Sequence, residues 1–346
     1  MRALEAAIAS GRIHHAWVFS GPMGIGKRTA AEAFAAAILD PTTQADFSGH
    51  YAPDENSQTQ RLIAQGMHPD LHIITKELAT FSRDPKVRDQ KQLTIAKDVV
   101  EEHLLGPIAR APALATSSLA GKVFIIDEAE LLDRSRFNAP TQNSILKTLE
   151  EPPPRSVIIL VTASEDALLP TIRSRCQRVV FYPLQEAAMN EWLSGSSIKV
   201  TGPEKKWLLE FAQGSPGRAL LAHQTGLYGW HEALEPMLAE ADRGRFDGAL
   251  GATMAKLIDE WAKKWVEDGD NRSKEAANQA GARHLFALIS ERARRSLRVS
   301  AEKGDEESLD RRLGAIDAIS DTERFVQSNV NLAMAMEDLA AQLSAR

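Results

Sequence analysis

The stretch that decides the fold is residues 121–176, GKVFIIDEAELLDRSRFNAPTQNSILKTLEEPPPRSVIILVTASEDALLPTIRSRC. Lys122 to Ile126 is a short apolar run that stops abruptly at Asp127 and Glu128. A buried parallel strand reads this way when it delivers carboxylates to its C-terminal edge. Ser156 to Val161 repeats the form. Between them, Ile145, Leu146 and Leu149 make a helical stripe over Asn143 to Leu149, which Glu150, Glu151 and the prolines 152–154 bring to a stop. The order strand, helix, strand predicts an α/β core with a parallel sheet.

Working outward, Ala16 to Phe19 reads as another core strand, and it runs into Gly21-Pro22-Met23-Gly24-Ile25-Gly26-Lys27-Arg28-Thr29. This is nearly a Walker A loop opening a helix through Ala30, Phe34, Ala37 and Ile38. Glycines let the backbone N–H groups and the helix N-terminus face a phosphate chain, and Lys27 supplies a point charge. The departure is Arg28, where the pattern asks for Ser or Thr. A hydroxyl ligates Mg²⁺; a guanidinium has no lone pair to offer and carries like charge. Thr29 lies about 100° further round the helix and substitutes only if the register shifts. Two readings follow: a nucleotide site (Gly21, Gly24, Gly26, Lys27, Arg28, Thr29) without hydrolysis of its own, and a glycine-rich turn that holds no nucleotide.

The remaining elements are coarser. Leu4 and Ile8 predict a helix over Ala3 to Ala9. His14 and His15, adjacent on an extended segment, should point to opposite faces and serve structure rather than joint ligation. Asp40 to Asp70 reads as a polar surface loop; His50, His68, Asp46 and Asp54 follow no metal spacing, so no metal centre is expected there. Leu71 to Ile74 reads as a strand, Lys76 to Lys91 as a charged linker, and Ile95 to Leu105 as a helix with Ile95, Val99 and His103 or Leu104 on one side. Pro107 to Ala120 reads as an exposed loop, and Val179 to Phe181 closes the sheet.

After Tyr182-Pro183 the pattern turns helical: Glu186 to Leu193, Pro203 to Ala212, and a helix at Gly214 to Leu220 with Ser215 as N-cap and Pro216 in the first turn. From Tyr228 onward the chain is helical and more charged. Trp261, Trp265, Leu285, Phe286, Ile289 and Leu297 supply apolar positions. Arg292, Arg294, Arg295 and Arg298 form a basic cluster, read as a solvated helix face before a DNA contact. Leu332, Met336, Leu339 and Leu343 are spaced as a helix seam. The expected domains are a P-loop core (1–183), a helical lid (184–227) and a helical collar (228–346).

Composition sets bounds. The chain has 346 residues, a formal charge of −6 and one cysteine. That balance argues against a surface that clamps nucleic acid throughout, so any DNA contact is local. Cys176 forms no internal disulfide, and Met1 to Ser10 lacks the apolar core of a signal peptide, which predicts a cytoplasmic protein.

The motifs IIDEAE, NAPTQNSILKTLEEPP and LLPTIRSRC, in this order, resemble the clamp-loader branch of the AAA+ ATPases, and within it the δ′ family of bacterial DNA polymerase III. The resemblance runs from about Gly11 to Tyr182, with weaker echoes at Gly214 to Leu220 and Asn329 to Leu339. It implies that Asp127 and Glu128 are the Walker B pair, Asp127 holding Mg²⁺ through water and Glu128 polarising the attacking water, in a site that Arg28 leaves weak or silent. Thr162 matches sensor 1 and Arg218 sensor 2. Arg175 matches the arginine finger that reaches a neighbouring subunit's nucleotide; the plain alternative is a surface arginine pairing with an acidic neighbour. For the Walker B pair that alternative is a helix cap, for Thr162 an ordinary strand threonine, and for Arg218 a first-turn surface residue. The cysteine-liganded zinc module of many relatives is ruled out by the single cysteine.

Function follows as an implication: a stator of the clamp loader within the DNA polymerase III holoenzyme, a nucleotidyltransferase complex. The implied partners are the δ and γ/τ subunits and, through the complex, the β sliding clamp and primer-template DNA, with no membrane. ATP or ADP binding would be weak or absent, with Mg²⁺ if any. One rival is a γ/τ-type motor ATPase, against which stand Arg28 and the lack of a long C-terminal extension. Another is a lone AAA+ DNA-remodelling or helicase-loading ATPase, against which stand LKTLEEPP and SRC.

Overall fold

Strands β1 (Ala16–Ser20), β2 (Leu71–Ile74), β3 (Lys122–Ile126), β4 (Ser156–Thr162) and β5 (Gln177–Val180) form one parallel sheet in the order β2-β3-β4-β1-β5. The computed structural model describes residues 2–47, 49–88, 93–114, 117–133, 139–268, 273–303, 306–327 and 331–344. The sheet lies in the first of two units, Met1–Leu184 and Gln185–Arg346.

The near-continuous apolar runs of β3 and β4 are buried along their whole length because helices cover both faces of the sheet. Alternation along the strands splits the core in two. Phe124, Ile126, Ile158 and Leu160 face Ile145 and Leu149 of the helix Pro140–Glu150, together with Val99 and Leu104. Val123, Ile125, Val157, Ile159, Trp17 and Phe19 face Ala31, Phe34 and Ile38 of the helix Lys27–Leu39, preceded by Leu4 and Ile8 of the helix Arg2–Ser10. In register, Ser20 pairs with Thr162, so β1 and β4 end together, and Ile126 pairs with Leu160, so β3 ends two residues earlier and Asp127 follows it at the same edge. Their C-terminal edge is the edge of an open α/β sheet at which ligands bind.

Four expectations for the first unit need correction. First, the Asp40 to Asp70 region is not a plain surface loop: it carries a short antiparallel pair, Gln44–Ala45 with Tyr51–Ala52, and the helix Gln58–Ala64. Its polar composition conceals two buried anchors. Asp40 accepts bonds from Thr42, Ser57 and Gln60, and Asp70 accepts the backbone N–H groups of Ala113 and Leu114. Second, the rings of His14 and His15 stack, with centroids 4.4 Å apart, because both precede the strand and alternation does not yet apply. His14 Nδ1 lies 2.8 Å from the Ala16 carbonyl and His15 Nε2 3.0 Å from that of Leu149.

Third, the helix expected to stop at Leu105 continues. It is α-helical over Lys97–Val100, widens to a π-turn over Glu101–Leu105 and returns to α over Gly106–Ile108. Pro107 lacks an N–H, and a one-residue shift of the ladder lets the helix pass it and bury Ile108. Fourth, Lys76 to Lys91 is not unstructured throughout: Lys76–Phe81 is a 3₁₀ helix and Pro85–Arg88 a helical turn, while Lys91 lies outside the described residues.

The second unit is helical throughout: Glu186–Gly195, Gly202–Ala212, Pro216–Thr225, Leu227–Ala241, Leu250–Glu267, Lys274–Lys303, Glu306–Gln327 and Leu332–Ser344. Ser215 caps the third of these, its Oγ accepting the Arg218 N–H. In the last helix the fully buried positions are Met336 and Leu339 with Ala335 and Ala340, while Leu332 and Leu343 are half-buried, so the seam is centred on a different stripe from the expected one. It presses close to Leu250–Glu267, where a Cβ on Gly251 would come within 2.7 Å of the Glu337 Cα. Asn329 lies outside the described residues. Among the described residues no helix is long and apolar enough to cross a membrane.

Candidate functional site

The loop between β1 and the helix Lys27–Leu39 is built from backbone conformations that favour glycine. Gly21, Gly24 and Gly26 have φ of 146°, 76° and 89°. Gly21 is also a contact requirement, since a Cβ there would lie 2.3 Å from the Phe181 carbonyl oxygen. Gly26 caps the helix and Lys27 begins it, so the register does not shift towards Thr29, which is exposed. Lys27 is buried and donates to the Gly21 and Pro22 carbonyls, each at 2.6 Å. Burial lowers its pKa, opposed by the fields of Glu130 and Asp127.

Arg28 settles where the loop differs from a metal-dependent one. Its Nη1 donates to Asp127 Oδ2 at 3.0 Å and its Nε to Glu32 Oε1 at 2.8 Å. Burial works against the charge, but Glu32 and Asp127 outweigh it and hold the proton more tightly than usual. Asp127 follows β3, its N–H donating to the Ile74 carbonyl. Next to it Glu128 sits at φ 49° and accepts from Lys76 Nζ at 2.8 Å. Glu128 precedes the 3₁₀ turn Ala129–Leu131 without a side-chain cap bond, Asp127 Oδ1 accepts the Glu128 N–H at 3.0 Å, and each carboxylate has a cation of the same chain in contact. Thr162, at the end of β4 beside Ser20, is buried and its Oγ1 accepts the Ser164 N–H at 3.0 Å. Glu130 accepts the Ala163 N–H. The strand ends thus bring Lys27, Arg28, Asp127, Glu128, Glu130 and Thr162 to one edge.

The residues suit a phosphate chain better than a magnesium ion. Three left-handed or extended glycines, a helix N-terminus and Lys27 make an anion cradle. Magnesium needs oxygen donors in octahedral array. Here the hydroxyl position is a guanidinium and Asp127 is engaged by it, so the donor set does not fit the ion.

Arg175 turns to a different partner. It lies in the turn after the helix Pro170–Arg173, and its Nη2 donates to Glu150 Oε1 at 2.6 Å while Nη1 donates to the Thr171 carbonyl at 2.8 Å. The pair is partly exposed, 35% for Arg175 and 50% for Glu150. SRC and LEEPP, read separately in the sequence, are thus one contact. Arg173 and Arg178 are occupied as well, by Asp166 and Glu165. Cys176 packs against the core, and burial, with Glu165, pushes its thiol up to about 12.

In the second unit Arg218 donates to Glu291 Oε2 at 3.0 Å and lies over the Phe211 ring. Of the basic cluster, Arg292 pairs with Glu235 and Asp242 and Arg295 with Glu210, so at least those two charges are compensated within the unit. Sequence reasoning missed Lys76, Glu150 and Glu291. Glu150 sat in a quoted motif, but as a helix stop; the other two are charges whose partners lie 52 and 73 residues away.

Comparison with known proteins supplies the rest. Residues 1–185 match the family model described as DNA polymerase III, delta subunit. The chain is similar to DNA polymerase III subunit delta' of Pseudomonas aeruginosa, 33% identical over 216 residues that cover 62% of this chain and 57% of that protein. It is also similar to DNA polymerase III subunit tau of Escherichia coli, 30% identical over 302 residues that cover 86% of this chain and 39% of that protein. A solved Thermotoga maritima DNA polymerase III gamma subunit-related protein aligns over 99% of both chains with 19% identity and a TM-score of 0.45. The chain spans about half the length of the curated delta' relatives it matches, 57% and 50%.

Proposed function

The chain belongs to the family of the DNA polymerase III delta subunit, and on that premise we propose that it acts as a δ′-type stator of a bacterial clamp loader. In this reading it works in the cytoplasm, holds δ and γ/τ subunits in a ring, and lends Arg175 to the ATP of a neighbouring motor. Through that ring it helps place the β sliding clamp on primer-template DNA. The observation that carries the stator over the motor is the Arg28–Asp127 pair, which engages the carboxylate that a hydrolysing subunit keeps for its metal.

Arg175 supports the second half of the reading. A guanidinium is permanently charged and its planar fork matches phosphate oxygens, so it stabilises charge that develops during phosphoryl transfer without moving a proton. In the isolated chain Glu150 holds the fork; in a ring the neighbour's phosphates would replace that carboxylate. In this reading Thr162 and Arg218 would serve as sensors; Thr162 ends β4 beside Ser20, and Arg218 is paired with Glu291 in this state.

The test is steady-state ATP hydrolysis by a reconstituted complex in which only this subunit is altered. Arginine fingers contribute about 10³ to 10⁵ in turnover in GTPases, an effect diluted where several sites share a ring. Arg175→Ala should leave the complex assembled and lower its clamp- and DNA-stimulated hydrolysis. Arg175→Lys should not restore it, because an ammonium lacks the fork. Unchanged hydrolysis with either variant would reduce Arg175 to a structural arginine.

A further inference from the structure

The seat of the divalent cation is where this chain's residues disagree most with a metal-dependent phosphate loop. We propose that Arg28 is the resident cation of the loop: its guanidinium occupies the seat on Asp127, and the loop takes a nucleoside di- or triphosphate without a metal ion.

Three observations carry this. The first is fixation. Arg28 is tied through Nε to Glu32, one helical turn away, at 2.8 Å and through Nη1 to Asp127, across the loop, at 3.0 Å, so its own helix and the end of β3 together set its position. The second is charge. Lys76 stands on Glu128 at 2.8 Å as Arg28 stands on Asp127. Together the two side chains bring the same two positive charges that a magnesium ion would bring, to the same two carboxylates. An incoming dication would have to displace both and would meet like charge on each side.

The third is that the cradle is intact. Gly24 and Gly26 hold left-handed conformations, and the space beside Gly26 is open, nothing lying within 4 Å of where a Cβ would stand. The helix that begins at Lys27 is thirteen residues long, enough to present a full N-terminal dipole. Lys27 spends two of its N–H groups on the loop's own carbonyls, acceptors that phosphate oxygens can replace. What this loop lacks, relative to a hydrolysing one, is the metal's coordination sphere and not its charge.

The proposal shares the Arg28–Asp127 pair with the stator reading and does not use Arg175; it is tested by nucleotide binding to the isolated full chain and the stator reading by hydrolysis in the complex, so the two failures are distinguishable. The probe is ADP carrying a ribose fluorophore, titrated in excess EDTA and in excess magnesium, with unlabelled ADP and ATP as competitors. The wild-type dissociation constants in the two buffers should agree within about twofold. Arg28→Thr should weaken binding in EDTA by roughly tenfold, the loss of a charge-assisted contact, and magnesium should recover it. Asp127→Asn separates the readings by sign: releasing Arg28 should tighten binding in EDTA, whereas a metal-dependent loop would weaken. Binding that requires magnesium, or no saturable binding by the wild type, overturns the proposal. Circular dichroism and urea midpoints establish that the variants fold; the wild-type comparison decides even where one does not.

Discussion

Arg28 and Arg175 are both arginines paired with carboxylates of their own chain, and they differ in how they are held. Arg28 spans Glu32 and Asp127, on two elements. Both arginines are partly exposed, but Arg175 has one carboxylate, Glu150, and otherwise bonds atoms of its own turn, the Thr171 carbonyl and Ser174 Oγ. An exposed ion pair contributes about 0.2–1 kcal/mol. Trading one such pair for charge-assisted bonds to phosphate costs little; giving up two costs more. The number of carboxylates engaged, and not the residue type, separates an arginine held across a site from one that can leave its partner.

The comparison is tested most strongly at the neck of the Arg175 segment. Burial, with Glu165, pushes the Cys176 thiol up to about 12 from an ordinary value of 9.0. Alkylation depends on thiolate, so at pH 8 the folded chain should react with iodoacetamide roughly 10³ times more slowly than the urea-unfolded chain. Equal rates would mean a loose neck and an arginine without a fixed base.

Next in size is the joint between the two regions. Gly21→Ala sets a Cβ against the Phe181 carbonyl in a backbone conformation that side chains rarely adopt. Unfolding by urea should show a loss of about 2–3 kcal/mol. A variant as stable as wild type would show that the loop and the segment after β5 are not in firm contact. The smallest effect belongs to Glu150→Gln. If Glu150 is only a tether, the variant should change stability by less than about 0.5 kcal/mol and leave hydrolysis by the complex within about twofold. A loss as large as that of Arg175→Ala would place Glu150 in the catalytic machinery and break the distinction.

Short apolar strands were legible residue by residue: the wholly buried Lys122–Ile126 and the half-buried edge strand Leu71–Ile74 stand at their expected limits, since an apolar run bounded by polar residues leaves no choice of register. The loop's glycines were legible for the same reason, being required by φ. The passage through Gly106-Pro107 was not, because those residues ordinarily end a helix and only the π-turn, a tertiary accommodation, carries it on. Nor was the region after Asp40, where buried carboxylates and not apolar side chains do the anchoring. The pairing of Arg28 with Asp127 spans 99 residues. The sequence showed that a hydroxyl was missing there; only the fold shows what the replacement touches.

The strand order has a mechanical consequence. β1 runs between β4 and β5, the Phe181 N–H donates to the Ser20 carbonyl at 2.7 Å, and Gly21 follows at once. One residue, Cys176, separates Arg175 from the start of β5. A neighbour gripping Arg175 would load β5 in tension along its own axis. The parallel hydrogen bonds to β1 would resist that load in shear, where several must yield together rather than one after another. The arginine and the phosphate loop are therefore the two ends of a stiff strut, and a displacement at one end arrives at the other with little lost to bending.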